Sequence, residues 1–509
     1  MDEAGQTDVI IIGAGLSGVC ALVKLREKFP AIKIELYDKN GNVGGTWAKN
    51  TYPGLSCDIP SQLYSYSFAP NPDWSATYAS QPEILSYIQQ VVHSFDCSSY
   101  IHLKQECVTA EWLDEELHWR VRLIDLDSGQ MYLKYTRFLI TAVGFCDVPK
   151  GTDKIDGIEN FTGKVFHGAR WDHSFDFSNK AVAVVGNGCS ANQFIPSLLD
   201  QASVRSLVQF MRSPHWIAPK YNSHVYSWQR WAFRRVPFAN RFWRYWLAIK
   251  LDLAFPAFKH NRLGKFLRQQ VQTSLTNYIR RSAPQKYHHM LIPCFDFGAK
   301  RPVLDHGYLQ SLHDPRVTLV STRSLSVVGP RELQSNSGDI FPADVLILAN
   351  GFETQQLLTP MNITGLRGVE LPALWQQSEK YASAYMGVCI SGFPNLFVLT
   401  GPNTLPSGHS TLVGIECSVE YIIRLMSRVF NNHSSKVKLE VTAEAQDSFN
   451  TVLQSKLQRL VYTSDVSSWY LDKRSGKNTL IWPGSQFEFW YSRCLQRVNW
   501  ADFAIDTRG

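Results

Sequence analysis

Two segments of this chain repeat one order: apolar strand, glycine-rich turn, helix, second strand. Residues 8–12 read D-V-I-I-I, a run suited to a buried parallel strand. They enter Gly13-Ala14-Gly15-Leu16-Ser17-Gly18, then a helical pattern through Ala21, Leu22, Leu25 and Phe29, then an apolar strand over 32–37 that ends at Asp38. In such a turn Gly13 makes the bend, Gly15 lets a pyrophosphate approach the backbone, and Gly18 lets helix and strand pack closely. Ser17 lies in the same turn, and the helix N-terminus offers N–H groups and partial positive charge to the phosphates. Asp38 stands where an acid can bind ribose hydroxyls. The second segment has a strand over 181–185, then Gly186-Asn187-Gly188-Cys189-Ser190-Ala191-Asn192, then a strand over 207–211 that ends at Arg212 and Ser213. An acid at the strand end favours a free 2′-hydroxyl, whereas an arginine accommodates a 2′-phosphate; Ser213 adds a hydroxyl donor. The first unit is therefore expected to take a dinucleotide such as FAD and the second NADPH. The fold class that follows is α/β, with two Rossmann-like dinucleotide-binding domains and electron transfer between two cofactors.

Composition narrows the class further. The 509 residues carry 51 Lys and Arg against 44 Asp and Glu, a formal charge of +7 with no long block of like charge, which argues against a nucleic-acid partner. Ten cysteines are irregularly spaced and none form C-x-x-C, so no zinc site or dithiol motif is expected, and no other metal site. Free thiols point to a reducing compartment. The N-terminus is polar and followed by only a short apolar run, so no signal peptide is read. No window is apolar enough to span a bilayer: residues 243–258 come nearest, and Arg244, Lys250 and Asp252 interrupt them. An intracellular, cytoplasmic protein is expected. The 15 Trp, 21 Tyr and 28 Phe supply much flat apolar surface, for cores or for planar ligands.

Residues 44–58 read G-G-T-W-A-K-N-T-Y-P-G-L-S-C-D, and residues 161–172 read F-T-G-K-V-F-H-G-A-R-W-D. With these the sequence resembles the type I Baeyer–Villiger monooxygenases, within the flavin-containing monooxygenase class. Gly44, Gly45, Trp47, Tyr52, Pro53, Gly54 and Asp58 fill the family's long fingerprint, and Phe161, Gly163, His167, Trp171 and Asp172 its short one. The heteroatom-oxidising sister group carries an aromatic-Lys ending where this chain has Trp171-Asp172. Lys300-Arg301, the run 392–404, and Ser468-Trp469-Tyr470 with Gly476-Lys477 are also similar to family segments. Several wordings resemble the branch of filamentous fungi, which suggests a role in secondary metabolism. Two hinge segments depart from the family pattern, Thr141-Ala142-Val143-Gly144 and Ala349-Asn350-Gly351, and residues 221–290 match it poorly.

The resemblance implies that NADPH reduces FAD and that a C4a-peroxide formed with dioxygen attacks a ketone, giving an ester or lactone from a hydrophobic metabolite. The small-molecule partners are thus a ketone and dioxygen. Arg301 is the expected catalytic residue, since a guanidinium stays charged and presents several donors to an oxyanion. Asp58 would hold and tune it. Lys300, adjacent in sequence, would point the other way and join Arg212 at the 2′-phosphate. Gly45, Thr46, Trp47 and Ala48 should line the flavin, continued by Ile59 and Tyr64; Ser56 and Cys57 should reach toward the nicotinamide. Trp469 is expected as a lid on the nicotinamide cofactor, and His167 as a linker residue. N- or S-oxygenation and epoxidation by the same peroxide remain open. A flavin disulfide reductase would need a redox cysteine pair that this chain lacks, and a silent dinucleotide sensor would consume no NADPH.

The expected organisation is an FAD domain from 1–145 and 380–509, an NADPH domain from 150–220 and 315–375, and a helical insertion over 221–305. Residues 101–141 read as a β-meander with Asp127-Ser128-Gly129 as a turn, and 341–348 as a returning strand. The insertion mixes Trp228, Trp231, Trp243 and Trp246 with Arg234, Arg235 and Arg241. A helical cap over an apolar substrate tunnel is the favoured reading, with peripheral membrane contact through 228–258 as the alternative.

Overall fold

Val9, Ile10 and Ile11 form an uninterrupted apolar run after Asp8 and have no exposed surface. Their strand, Gln6–Ile12, has neighbours on both sides in an eight-stranded sheet. We describe the computed structural model over residues 6–377, 380–406, 408–430, 436–464, 466 and 468–507; residues 1–5, on which part of the N-terminal reading rests, lie outside these. Side chains alternate along the strand. Val9 and Ile11 enter a core with the helix Leu16–Lys28, while Ile10 and Ile12 enter another with Trp112 and Trp119. Gln6–Ile12 pairs in parallel with Ile34–Asp38 on one side and Met131–Thr141 on the other. Gln105–Leu113, His118–Asp125 and Met131–Thr141 form an antiparallel meander, as residues 101–141 predict.

The second sheet is wholly parallel. Its order is Val317–Ser321, Ser206–Met211, Ala181–Val185, Val345–Leu348, Lys164–His167. The returning strand expected over 341–348 is shorter. Asp344 interrupts it: its carboxylate accepts the Ala181 N–H at 2.8 Å and pairs with Arg205 and Arg331, while Ile340–Pro342 joins a separate four-stranded sheet. The two hinges do the same job in each unit despite their different wording. Ala142 N–H donates to the Ile12 carbonyl at 2.7 Å, and Ala349 N–H to the Val185 carbonyl at 2.8 Å, so each hinge lies behind its own glycine-rich turn.

The insertion is helical, with Ser227–Arg235, Ala239–Asp252 and Arg262–Ser282 as its main helices. Residues 216–299 do not line the large cleft described below. The reason is the orientation of Ala239–Asp252. Its buried side chains are Asn240 and Arg244, and its aromatic side chains point outward. Among the described residues no helix is long and apolar enough to cross a membrane.

Gly18 shows why the first turn tolerates no side chain. A Cβ there would lie 1.8 Å from the Gly13 carbonyl oxygen, a backbone atom that the turn holds in place. Gly18→Ala should cost about 3 kcal/mol by overpacking, which urea melts of the purified protein measure.

Candidate active site

The two glycine-rich turns open into one cleft of about 910 Å³. The helices Leu16–Lys28 and Cys189–Gln201 begin at its walls after Gly15 and Gly188, with no side-chain cap and no acid in either first turn. Two uncapped, positively polarised helix N-termini facing one cleft suit two sets of phosphates.

Most residues singled out in the sequence line this cleft. Gly13, Gly15, Ser17 and Asp38 form one side, and Gly186, Asn187, Gly188, Cys189, Ser190, Arg212 and Ser213 the other. Thr46, Trp47, Ser56, Cys57, Ile59 and Tyr64 line it between them, with Gly45, Asp58, Lys300, Arg301 and Trp469. Four do not reach it. Gly18 and Ala191 sit one layer behind, packing helix on strand, and Ala191 is fully buried in the second core. Ala48 packs behind Gly44. Asn192 is buried; its amide donates to the carbonyls of Asn187 at 3.3 Å and Gly188 at 3.4 Å, so it braces the turn from within.

Asp38 accepts the Ala14 N–H at 2.6 Å and the Asn40 N–H at 2.7 Å, which fixes its carboxylate at the strand end. Trp47 is buried edge-on against Tyr64, and its indole N–H donates to the Tyr64 hydroxyl at 3.0 Å. Trp469 stacks on Phe145 with ring centroids 5.9 Å apart. Thr354 Oγ1 and Gln355 Nε2 both donate to its carbonyl, tying the Ser468–Tyr470 turn to the second hinge. His167 is a linker residue. It accepts the Ala169 N–H on Nδ1 and donates from Nε2 to the Gly351 carbonyl, a pattern only the neutral Nε2–H tautomer can make. Burial pushes its pKa down, which favours that neutral form.

The long-fingerprint loop joins the two units. At its start a Cβ on Gly45 would lie 2.8 Å from Gly15 Cα, so the two turns pack backbone on backbone. Further on, a Cβ on Gly54 would lie 2.5 Å from the Gln193 carbonyl oxygen in the helix Cys189–Gln201. Tyr52 donates its hydroxyl to Gln193 Oε1 at 2.9 Å, and Gln193 Nε2 donates to the Ser56 carbonyl at 2.9 Å. The loop delivers Asp58 to the middle of the cleft. Arg301 pairs with it at 3.6 Å, His306 Nε2 lies 3.8 Å away, and the Cys189 thiol also faces it. Burial opposes the Asp58 charge, but His306, Arg301 and Lys220 outweigh it and hold the carboxyl below its usual range. Partial desolvation likewise disfavours the Arg301 charge, and Asp58 more than restores it, so the guanidinium is fixed as a cation. Its side chain is 44% accessible, and that surface borders the cleft. Burial pushes the thiols of Cys57 and Cys189 up to about 12, so neither is a thiolate nucleophile near neutral pH.

Adjacent Lys300 and Arg301 diverge as expected. Lys300 Nζ donates to Ser213 Oγ at 2.7 Å, beside Arg212. Burial and then Arg212 push its pKa down, the mark of cations held together without an acid between them. That arrangement fits a bound phosphate.

Sequence reasoning missed Lys220, His306 and Gln193. Lys220 Nζ donates to Ser56 Oγ at 2.7 Å and lies 3.1 Å from His306 Nε2. Gln193 and His306 are also in contact, at 3.2 Å. Burial pushes the Lys220 ammonium down to about 8, against the opposing pull of Asp58. The folded chain thus releases this proton at lower pH than the unfolded chain, whose lysine keeps it to about 10.5. Stability must then rise with pH across that window. Urea melts between these two values should show wild type gaining on Lys220→Met as pH increases.

The chain matches a family model described as an NAD(P)-binding Rossmann-like domain over residues 11–80. It is 33% identical over 500 residues to a Baeyer–Villiger monooxygenase of Streptomyces coelicolor, covering 98% of this chain and 92% of that one. It is 30% identical over 518 residues to the FAD-binding monooxygenase ktnD of Aspergillus niger, covering 99% and 82%. Its fold superposes on the crystal structure of OTEMO in complex with FAD and NADP with a TM-score of 0.84, at 25% identity, over 98% of this chain and 99% of that one. Full-length similarity at this level, on a chain whose two glycine-rich turns share one cleft around an Asp58–Arg301 pair, makes it a member of the Baeyer–Villiger family of FAD- and NADPH-dependent monooxygenases.

Proposed function

We propose that the protein inserts one oxygen atom from dioxygen next to the carbonyl of an apolar ketone, giving an ester or lactone, with FAD held at the first turn and NADPH at the second. The observation that carries this reading is the Arg301–Asp58 pair in the cleft lined by both turns. Bound FAD would supply the electrons it takes from NADPH and the centre that activates dioxygen. Everything else falls to the chain. Gly13, Gly15, Ser17 and Asp38 would hold the FAD phosphates and ribose, and Thr46, Trp47, Ile59 and Tyr64 would wall its ring. Arg212, Ser213 and Lys300 would hold the 2′-phosphate of NADPH, with Trp469 closing over the nicotinamide side. Arg301 would present fixed N–H donors to negative charge developing on oxygen, and Asp58 would set the direction of that guanidinium. Lys220, tied to Ser56 and beside His306, would add a second positive charge to the same corner. Ten free cysteines, none in a disulfide, support a reducing, intracellular setting.

Three experiments test this. Incubation with NADPH, air and a panel of cyclic and aliphatic ketones should give products one oxygen atom heavier, identified as esters by mass spectrometry. Oxidation of sulfides or amines with every ketone left intact would move the assignment to heteroatom oxygenation. In Arg301→Ala, ester formation should fall at least about 100-fold while NADPH reduction of the flavin persists, because only the oxygen-transfer step places negative charge beside that residue. Arg212→Ala and Lys300→Ala should each raise KM for NADPH about tenfold or more, as expected for loss of a charged hydrogen bond, and leave KM for NADH nearly unchanged. Steady-state kinetics with both nucleotides measure this.

A further inference from the structure

The helix Ala239–Asp252 is turned inside out relative to an ordinary surface helix. A soluble helix buries its apolar stripe and exposes its charges. Here Arg244 is buried: its guanidinium donates to the Gln62 carbonyl and, at 2.8 and 2.9 Å, to the Ser65 carbonyl and hydroxyl. The stripe on the other side is apolar and open. Phe242, Trp246 and Ile249, with Leu253 just past the helix end, are 71%, 51%, 54% and 72% exposed. At 100° per residue these four fall on one face, and the exposed Arg241 and Lys250 flank it to either side.

The surface extends to both sides of this helix. Ser227–Arg235 packs beside it and exposes Trp228 and Trp231. Asp252 accepts the N–H groups of Gln486 at 2.7 Å and Phe487 at 3.1 Å, so the helix Gln486–Trp490 adjoins it and adds the exposed Phe487. Charge is concentrated in the same segment. Residues 226–268 hold ten arginines and lysines and one acid, Asp252, so the rest of the chain is slightly acidic; Arg244 and Arg268 are buried and Arg234 pairs with Asp73, which leaves the others for the surface. Asp252 itself is occupied as the cap of the neighbouring helix.

We propose that this face docks on an anionic membrane surface, with the helix Ala239–Asp252 lying in the interfacial plane. Aromatic side chains flanked by Arg and Lys on an outward apolar stripe are the pattern of interfacial helices, and the basic flanks complement anionic headgroups. Two copies facing each other through the same surface would instead bring like charges together. The buried anchor makes the surface rigid with the cleft. Gln62 and Ser65 flank the cleft residue Tyr64, and His409, another cleft residue, lies with its Nε2 3.3 Å from the Ala248 carbonyl. This inference does not depend on the identity of the oxidised substrate.

The test is flotation of the purified holoenzyme with vesicles of phosphatidylcholine alone or with about one-third phosphatidylserine, alongside its mass in solution. Wild type should float with the anionic vesicles, release as salt is raised, and bind neutral vesicles at least about tenfold more weakly. The double variant Phe242→Ser, Trp246→Ser should lose flotation while keeping wild-type NADPH oxidation, and Arg241→Glu, Lys250→Glu should lose the preference for anionic lipid. Failure of wild type to float on anionic vesicles overturns the proposal, and so does equal flotation of the Phe242, Trp246 variant. A dimer that the same variant dissociates, with no vesicle binding, assigns the face to a second copy and also overturns it.

Discussion

One loop, residues 44–58, touches both glycine-rich turns, and the rest of the cleft depends on where it is held. At one end Gly45 packs on the backbone of Gly15; further along Gly54 packs on the carbonyl of Gln193 in the helix that begins at the second turn. Neither contact leaves room for a Cβ, so the spacing between the two nucleotide turns is set by backbone contacts rather than by adaptable side chains. Tyr52 and Ser56 then bond to Gln193 from either side. Asp58 follows two residues later and inherits this placement. A carboxylate on an independent loop could drift by an ångström; this one is bracketed by contacts to both units.

The electrostatics follow from that placement. Asp58 is largely withdrawn from solvent, which alone would favour its neutral form. It stays charged because His306, Arg301 and Lys220 are there, and Arg301 stays oriented because Asp58 is there. The corner holds two cations against one carboxylate, and of the two Arg301 lines the cleft while Lys220 stands behind Ser56. On the other side of the same Lys300-Arg301 dipeptide, Lys300 joins Arg212 and Ser213. Two adjacent residues thus serve two subsites, one suited to charge developing on oxygen and one to a standing phosphate.

Much of this was legible in the sequence, for a physical reason. The glycine turns, the acid at Asp38, the base at Arg212 and the fingerprint loop are local patterns whose spacing is dictated by short pieces of backbone. Lys220 and His306 were not legible. Their partners Ser56 and Asp58 lie far away in sequence, and their contact is produced by the packing of two units rather than by any local spacing. Gly18, Ala48, Ala191 and Asn192 sit within a correct motif, yet they act behind the cleft surface. A motif identifies which residues shape a turn and does not say which of them face the ligand.

The helical insertion shows the same limit from the other direction. Its aromatic residues, Phe242 and Trp246 among them, favour the lining of a tunnel when read from the sequence, with an outward face as the alternative. Periodicity defines a stripe but not its direction. Arg244 decides it. A buried guanidinium needs several acceptors, and Gln62 and Ser65 supply them only on the protein side of the helix. With Arg244 fixed inward, the opposite stripe has to face out. The same buried arginine that anchors the segment carrying Tyr64 therefore also commits the molecule to an exposed aromatic surface. A hydrophobic substitution at Arg244 would remove the constraint that keeps the stripe outward and the segment beneath it in place, so the surface and the cleft wall are two consequences of one side chain's need for partners.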